Sequence, residues 1–293
     1  MAVVGGGPAG CEAAVTAAAL GHAVTLFEAA GAVGGELRWA MRIPGKEEFG
    51  ALLRYYEAVL RDRNVQVELL HRPSVEELLT FDHVLVATGA RPALPLLPGS
   101  TAARLWSYPD VFDTPPDWGT GRILILGAGG IGCDVAHYLS HPLISAKPSA
   151  PFWEQWEQPI TGSRPITLVS RSARVAKSVG RTTRWIILQS LKRQGVTIVT
   201  GTPEARIPQG IALRLADGTL DNLAADHVIL CTGQVPSAAL VPGLEARGAT
   251  VSVVGGARST ERLTAARAIR EGFLAARQLS EHQGRSWGWN RCS

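Results

Sequence analysis

Apolar and polar positions near the start of the chain alternate in blocks that predict a strand, a helix and a second strand. Ala2–Val4 is a short apolar run, and an alanine-rich stretch follows it as far as Gly21, a residue type that commonly ends helices. A further apolar run from Ala23 to Phe27 ends on Glu28. Strand candidates that are apolar throughout are typical of parallel strands buried on both faces.

The same alternation continues along the chain. Apolar residues recur every three or four positions between residues 47 and 62, which predicts a core-facing helix. Ser74 followed by Glu77 is a capping-box pattern that opens a short helix. Further strands are predicted at 65–69, 82–88, 122–126, 166–169, 196–200, 211–215, 226–231 and 251–254, and further helices at 133–139, 183–194 and 263–279.

A glycine motif separates the first strand from the first helix. Its pattern is Gly-x-Gly-x-x-Gly, over Gly5–Gly10. This order predicts a dinucleotide-binding fold, because the turn lets the backbone approach a pyrophosphate and the helix start offers free N–H groups. Glu28, at the end of the second strand, is placed to accept hydrogen bonds from the diol of an unphosphorylated ribose.

Paired glycines occur at two other places that we assign to the same pocket. Gly34 and Gly35 follow Glu28, and we favour close approach of their backbone to the nucleotide over the alternative of an ordinary flexible turn. Gly255 and Gly256 follow the last strand. The residues that we assign to the dinucleotide site of this first fold are Gly5, Gly7, Pro8, Ala9, Gly10, Glu28, Gly34, Gly35, Leu37, Arg42, Ala87, Thr88, Gly89, Gly255 and Gly256.

The chain then repeats this plan. A second Gly-x-Gly-x-x-Gly motif spans Gly127–Gly132, and a pattern that begins Asp-His-Val and ends Thr-Gly-x-x-Pro occurs at both 82–92 and 226–236. The paired order predicts an α/β protein with two Rossmann-like dinucleotide-binding domains, the second inserted in the first. We place the first, discontinuous domain at 1–115 and 232–293, and the second at 116–231 with a Pro- and Trp-rich insertion at 142–164.

The second fold differs from the first where the ribose would bind. Its second strand ends in Ser170 and Arg171, with Arg174 and Lys177 close behind. A guanidinium can bind a 2′-phosphate with two hydrogen bonds, whereas an acid would repel it, so we predict NADPH here; the alternative is that these are solvated loop charges. The residues assigned to this site are Gly127, Gly129, Gly130, Ile131, Gly132, Asp134, Arg171, Arg174, Lys177, Thr232 and Gly233.

Composition and charge narrow the function. The 29 basic and 25 acidic side chains give a net charge of only +4 without a basic tract, so nucleic acid is not an expected partner. The four cysteines form no C-x-x-C pair, which disfavours an iron–sulfur cluster, a structural zinc or a dithiol centre within the chain. His137 and His141 have no third metal ligand in view, so no metal site is predicted.

We also predict no catalytic acid, base or nucleophile. No stretch suits a signal peptide or a membrane span, and we expect a cytoplasmic protein. Only Ala2–Val4 precedes the first glycine turn, whereas buried strands usually have about five residues. We therefore expect either a longer natural polypeptide or a partner that covers this edge.

Longer strings carry a resemblance to a known family. They are VVGGGPAG at 3–10, IPGKEEF at 43–49, LRYY at 53–56, GGIGCD at 129–134 and GRTT at 180–183. On these strings the chain resembles, over almost its whole length, the C-terminal flavin and nucleotide portion of the NADPH-dependent 2,4-dienoyl-CoA reductase family, which includes trimethylamine dehydrogenase and other old-yellow-enzyme-like flavoproteins. The resemblance implies a fold like that of the flavoprotein disulfide reductases.

In that family an N-terminal (β/α)8 barrel carries FMN, the catalytic residues and a 4Fe–4S cluster. The resemblance implies that this chain is the electron-input part, which passes hydride from NADPH to FAD and electrons onward to a barrel domain or subunit. Gly256 stands where many flavoprotein disulfide reductases have an Asp that holds the ribityl chain. Two alternatives stay open: a non-redox module that binds ADP or another nucleotide, and a free-standing NADPH reductase of the ferredoxin or quinone type.

Overall fold

The computed structural model of the chain describes residues 1–99, 101–141, 164–173, 175–177 and 179–282. Of Arg181, Thr182 and residues 280–282 it describes the backbone only. The insertion expected at 142–164 therefore lies outside the described residues except for Arg164, and Arg174 of the charged loop lies outside them too.

The strands and helices predicted from the apolar pattern are present. The strands are β1 (Ala2–Val4), β2 (Thr25–Glu28), β3 (Gln66–Leu69), β4 (Val84–Val86), β5 (Ala90–Pro92), β6 (Arg104–Ser107), β7 (Ile123–Leu126), β8 (Ile166–Ser170), β9 (Thr197–Ile207), β10 (Gly210–Leu215), β11 (Leu220–Ala224), β12 (His227–Leu230), β13 (Gln234–Pro236) and β14 (Val251–Val253). The helices are α1 (Pro8–Ala19), α2 (Leu37–Ala40), α3 (Phe49–Asp62), α4 (Val75–Leu78), α5 (Tyr108–Asp113), α6 (Gly130–Ser140), α7 (Arg181–Arg193), α8 (Val241–Glu245) and α9 (Ala265–His282), with a 3-10 turn at Gly255–Ala257.

Contacts divide the chain into two compact units, the first made of Met1–Arg91 with Gln234–Ser293 and the second of Pro92–Gly233. In the first unit a parallel sheet has the strand order β14-β4-β1-β2-β3. The short β1 lies at its centre and pairs with β2 on one side and β4 on the other. The expectation that a partner covers an edge at this strand is therefore wrong, because β1 is hydrogen-bonded on both sides.

The helices of the first unit pack closely around the phosphate turn. Seven residues of α1 are buried, most of them Ala, and α9 packs along α1. A Cβ on Gly272 of α9 would overlap the carbonyl oxygen of Ala9. Small residues at this crossing let the two backbones approach, and the end of α1 next to the glycine turn is thereby held against α9.

The second unit has a seven-stranded sheet in the order β11-β10-β9-β8-β7-β12-β6. The strands from β9 to β6 are parallel, and β10 and β11 add an antiparallel meander at the edge. All four residues of β7 are buried, as are all four of β12. This central apolar pair is the core on which the second glycine turn is built.

The boundary between the units lies earlier in the chain than the predicted 115/116. Contacts place it between Arg91 and Pro92, so β6 and α5 belong to the second unit. The return crossing lies at Gly233/Gln234 rather than 231/232. The physical reason is strand pairing, because β6 pairs in parallel with β12 over its whole length. β6 is largely exposed and has no apolar pattern of its own that would assign it to a sheet.

Candidate dinucleotide sites

The first glycine turn is built by backbone contacts that exclude side chains. Gly5 has a φ of +104° and its N–H donates to the Phe27 carbonyl at 2.8 Å, which ties the turn to the end of β2. A Cβ on Gly10 would overlap the Gly5 carbonyl oxygen. Glycine is therefore required at Gly5 by its conformation and at Gly10 by the close approach of α1 to the turn.

The start of α1 leaves room for an anion. A Cβ on Gly7 would meet no atom within 4 Å, so the face of the turn above this residue is open. Pro8 occupies the first helical turn, where a missing N–H costs nothing, and no side chain caps the helix. Free N–H groups and the positive end of the helix dipole suit a pyrophosphate at this place. The residues thus fit a dinucleotide.

Glu28 joins the second strand to the same turn. Its Oε2 accepts a hydrogen bond from the Gly6 N–H at 2.6 Å, and its Oε1 accepts one from the Ala30 N–H at 2.7 Å. A carboxylate has about four acceptor positions, so two remain for the diol of a ribose. Glu28 was predicted to bind the ribose, and its second role as a brace for the Gly6 backbone was not predicted.

Gly34 and Gly35 lie against the first glycine turn, while their approach to the nucleotide stays a prediction. The Gly34 N–H donates to the Gly6 carbonyl at 2.6 Å, and a Cβ on Gly35 would lie 3.1 Å from the Cα of Gly7. Leu37 is buried, and its N–H donates to the Gly34 carbonyl at 3.1 Å. Arg42 is exposed in the turn after α2, and its role in binding stays a prediction.

The residues after β4 and β14 pack against one another beside the first glycine turn. The hydroxyl of Thr88 donates to the Ser237 carbonyl, and Ala87 is buried below the glycine turn. A Cβ on Gly256 would lie 2.9 Å from the carbonyl carbon of Gly89 and one on Gly255 3.0 Å from the Cβ of Ala9. An Asp at position 256 would therefore require its neighbours to move, which explains the glycine found there.

Glu271 of α9, which was not predicted as a site residue, braces the turn after β14. Its Oε2 accepts from the Gly255 N–H at 2.8 Å, and its Oε1 accepts from Arg267 Nε at 2.7 Å and from Arg258 Nη2 at 2.9 Å. Burial raises the pKa of Glu271, but hydrogen bonds from Arg267 and Gly255 and the charges of both arginines outweigh burial and lower it. The i, i+4 spacing of Arg267 and Glu271 was the available signal.

The second glycine turn repeats the backbone contacts of the first. Gly127 has a φ of +107° and donates to the Val169 carbonyl at 3.0 Å, and a Cβ on Gly132 would overlap the Gly127 carbonyl oxygen. Gly129 has open space above it, as Gly7 has. The Cys231 backbone N–H donates to the Leu126 carbonyl at 2.8 Å, and the Ala87 backbone N–H donates to the Val4 carbonyl at the same distance. The geometry therefore suits a second dinucleotide.

The other residues assigned to this site surround the turn. Gly130 and Ile131 form the first turn of α6 and are half-buried, and Asp134 is half-buried one turn further along. The Thr232 hydroxyl donates to the Ala93 carbonyl at 2.8 Å, and Gly233 follows it with a φ of +124°. These residues lie in the second glycine turn or near it. Their direct contact with a nucleotide stays a prediction.

The charged loop after β8 folds back onto this turn. The Ala176 N–H donates to the Ala128 carbonyl at 2.8 Å, just as Gly34 donates to Gly6 in the first unit. Ala176 adopts a φ of +52° to do so. Arg171 and Lys177 are exposed on this loop, and Arg174 lies outside the described residues. Two of the three predicted phosphate ligands thus stand on a loop that touches the turn.

Cysteines offer no nucleophile in the part of the chain that the structure describes. Cys11, Cys133 and Cys231 are buried, and none of them forms a disulfide among the described residues. Burial, reinforced by the charge of Glu28, raises the pKa of Cys11 to about 12, and burial also raises the pKa of Cys231. Within the described ranges no group of three or more His, Cys, Asp and Glu side chains could hold a metal ion. No described helix is both long and apolar enough to cross a membrane.

Comparison with known proteins finds a matching family and several similar proteins. Residues 1–265 match the family model described as pyridine nucleotide-disulphide oxidoreductase. A bilirubin reductase of Mediterraneibacter gnavus is 30% identical over 287 residues, which cover 95% of this chain and 40% of the relative. An NADH oxidase of Thermoanaerobacter brockii is 29% identical over 286 residues, which cover 95% and 41%. The chain spans about two fifths of the length of these relatives.

Solved structures show the same fold. A complex of 2-naphthoyl-CoA reductase with 2-naphthoyl-CoA matches 93% of this chain and 38% of its own chain, with a TM-score of 0.79 and 20% identity. Thioredoxin reductase of Lactococcus lactis matches 96% of this chain and 97% of its own, with a TM-score of 0.68 and 17% identity. At these identities the likeness shows the fold alone.

These findings confirm the predicted α/β fold with two Rossmann-like parts. Members of the matched family bind FAD and NAD(P)H, which confirms the predicted class of cofactors. The specific resemblance to 2,4-dienoyl-CoA reductase is not confirmed, because the relatives carry several different names. The chain belongs to the pyridine nucleotide-disulphide oxidoreductase family, as a flavin-dependent domain that acts on pyridine nucleotides.

Proposed function

We propose that this chain is an NADPH-dependent flavin oxidoreductase module. The first unit binds FAD, the second binds NADPH, and electrons pass onward to a barrel domain or subunit that carries FMN and a 4Fe–4S cluster. The observation that carries the proposal is the match in backbone contacts between the glycine turns at Gly5–Gly10 and Gly127–Gly132. Two dinucleotide sites with no activated nucleophile among the described residues suit a reaction between two cofactors.

FAD, when bound, supplies an acceptor for the hydride of a reduced nicotinamide and a donor of single electrons. The residues of the chain bind and orient the nucleotides. The open faces above Gly7 and Gly129 admit the two pyrophosphates, and Glu28 accepts hydrogen bonds from a ribose diol in the first unit. The protein needs no acid or base of its own for such a transfer, so its contribution is position and polarity.

The preference for NADPH is proposed from charge at the end of β8. Ser170 places no carboxylate there, and Arg171 and Lys177 are exposed on the following loop. A relative bears the name NADH oxidase, so the preference of this chain depends on its own loop rather than on the family. We propose that Arg171, Lys177 and Arg174 bind the 2′-phosphate.

The proposed partner follows from length as well as from the resemblance. The matched relatives are more than twice as long as the region they share with this chain. We propose that the remainder of the complete system holds the FMN and 4Fe–4S groups and the site of substrate reduction, with a 2,4-dienoyl-CoA as the substrate class to test first.

Release of the nucleotide with acid from the purified chain, followed by chromatography and mass spectrometry, tests the first unit. We expect FAD. Recovery of ADP, with no flavin absorbance in the protein, would instead support the non-redox nucleotide-binding module.

Anaerobic mixing with NADPH and then with acceptors tests the rest of the proposal. We expect NADPH to bleach the flavin band, and the chain alone to reduce ferricyanide but not a 2,4-dienoyl-CoA. Rapid reduction of a ferredoxin or a quinone by the chain alone would favour the free-standing reductase. A flavin that NADPH does not bleach would refute the proposed electron path.

A further inference from the structure

The internal repeat shows where the two folds differ, beyond the end of the second strand. In the first unit Val65 follows α3 and its N–H donates to the Leu60 carbonyl at 2.9 Å; in the second Val196 follows α7 and donates to the Leu191 carbonyl at 3.0 Å. The helices therefore align on these valines. Leu53 stands twelve residues before Val65, and Arg184 twelve residues before Val196.

The aligned side chains touch the same loop in chemically opposite ways. Leu53 is buried, and a Cβ on Gly34 would lie 2.7 Å from its Cδ2, so this apolar side chain covers the loop of the first unit. Arg184 is half-buried, and its Nε donates to the Val175 carbonyl at 2.7 Å. Val175 directly precedes Ala176, the residue aligned with Gly34 by its bond to the glycine turn.

Two hydrogen bonds therefore connect α7 with the phosphate turn through the loop, and Arg184 makes the first of them. One joins α7 to the loop at Val175, and the other joins the loop to the phosphate turn through the Ala176 N–H and the Ala128 carbonyl at 2.8 Å. Ala176 holds a φ of +52°, a conformation that a residue with a side chain adopts only where its surroundings impose it. The hydrogen bond accepted by the Val175 carbonyl and the one donated by the Ala176 N–H supply that constraint.

We propose that Arg184 is a positioning residue for nucleotide specificity. It holds the loop between β8 and α7 in the conformation that presents Arg171 and Lys177 to a ribose 2′-phosphate, and it does so in the one fold of the two that we assign to a phosphorylated ribose. The inference rests on the proposed NADPH site and adds to it a residue that is remote from the glycine motif and from the basic cluster.

The groove below the loop supplies a matched control. It has a volume of about 380 Å³, and its two basic lining residues are Arg184 and Lys192. Lys192 lies about two helical turns further along α7 and is exposed. Substitution of Lys192 removes a positive charge from the same groove and leaves the bond to Val175 in place.

The test compares Arg184→Leu with Lys192→Leu and with wild type, each as the full flavin-loaded chain. Leucine is chosen because it is the residue type at the aligned position of the first fold. Dissociation constants for NADPH, NADH, 2′,5′-ADP and 5′-ADP are measured by calorimetry. We expect Arg184→Leu to weaken NADPH and 2′,5′-ADP about tenfold and the other two ligands less than about threefold. Lys192→Leu should leave the NADPH/NADH ratio within about twofold of wild type.

A double-mutant cycle separates positioning from general damage. If Arg184 acts through the loop, Arg184→Leu should change the NADPH/NADH ratio little once Arg171 and Lys177 are both Ala. Arg184→Lys, which can still donate one hydrogen bond, should recover part of the ratio and provides a reading if the Leu variant does not fold. An unchanged ratio in both Arg184 variants, or equal loss for all four ligands, would overturn the role of Arg184. Wild type that does not prefer NADPH would overturn the proposed cofactor itself.

Discussion

Glu28 and Ser170 occupy equivalent places at the ends of β2 and β8, but they create different electrostatic fields beside a ribose. Glu28 is a carboxylate that accepts from Gly6 and Ala30, whereas the Ser170 hydroxyl donates to the Ser172 carbonyl at 2.6 Å. The first residue repels a 2′-phosphate and the second does not. At the scale of single residues, then, we propose that this one position separates the two classes of nucleotide.

Arg171 is the residue at which this difference can be tested directly. We expect Arg171→Ala to weaken NADPH binding about tenfold and NADH binding less than about twofold, because a guanidinium there would bond mainly to the 2′-phosphate. Titration of the oxidised chain with each nucleotide measures both affinities. Arg61→Ala, an exposed arginine of α3, is the control for loss of one charge. Equal losses for the two nucleotides would remove Arg171 from the phosphate site.

At the scale of helices and strands, packing brings groups that are separated in sequence together beside the glycine turns. α9 illustrates this, because its Glu271 carboxylate accepts from the Gly255 N–H sixteen residues earlier and is itself held by Arg258 and Arg267. Arg267 also donates to the Ser259 carbonyl at 3.0 Å. The last helix therefore fixes the turn after β14 against the first glycine turn.

Glu271→Gln should loosen that turn. The amide keeps the shape but loses the charge, so we expect the free energy of unfolding to fall by about 2 kcal/mol and FAD affinity to fall with it. Urea denaturation and flavin release on dilution measure the two effects. The same change at Glu57, an exposed acid of α3, should alter neither. Full retention of flavin by the Gln variant would contradict a bracing role for Glu271.

His83 links two adjacent strands of the first sheet and makes their stability depend on pH. Its Nε2 lies 3.1 Å from Ser252 Oγ in β14, and burial, together with the positive charges of the N-terminal amino group and His22, lowers the pKa of His83 from 6.5 to about 4. Between these values the unfolded chain binds a proton at His83 and the folded chain does not. Acidification through this window therefore favours unfolding.

Substitution of His83 should flatten that dependence. We expect the free energy of unfolding of wild type to fall as pH is lowered from about 6.5 to about 4, by at most about 1.4 kcal/mol per pH unit from this residue. His83→Gln cannot take up a proton and should lose less over the same range. Urea denaturation at several pH values gives both slopes, and identical slopes would exclude His83 as their source.

At the scale of the whole molecule, the same structural arrangement occurs in both units. Each unit has its own sheet with a parallel core, its own glycine turn and its own loop that folds back on the turn. The repeated steric requirement is the same, because a Cβ on Gly10 or on Gly132 would overlap the carbonyl oxygen at the start of its own motif. Binding of the two nucleotides should therefore be separable.

Paired substitutions test this separation. Gly10→Ala should weaken FAD between about tenfold and a hundredfold and leave NADPH binding unchanged, because the added methyl group pushes α1 away from its own turn; Gly132→Ala should do the reverse. Flavin content and calorimetric titration with 2′,5′-ADP measure the two sites. Gly50→Ala, where the new Cβ would lie an ordinary 3.4 Å from Arg54, serves as the control. Loss of both nucleotides in either site variant would contradict independent sites.

The glycine turns, the repeat and the elements around them were predictable from sequence because they depend on residues close together in the chain. A turn such as Gly5–Gly10 is set by backbone sterics within one motif, and a strand such as β7 by its own four apolar residues. Glu28 was recognisable by its distance from the motif. Local rules were thus enough for the fold class and for the two glycine turns.

The rest depends on partners far away in sequence, which no local pattern reveals. β6 joined the second unit because it pairs with β12 more than a hundred residues later, and its exposed residues carry no sign of this. Arg184 reaches the Val175 carbonyl nine residues earlier in a fold in which α7 packs against α6, and Glu271 reaches Gly255 in a fold in which α9 returns along α1. Hydrogen bonds of this kind form between groups that folding brings together, so they became visible only once the chain was packed.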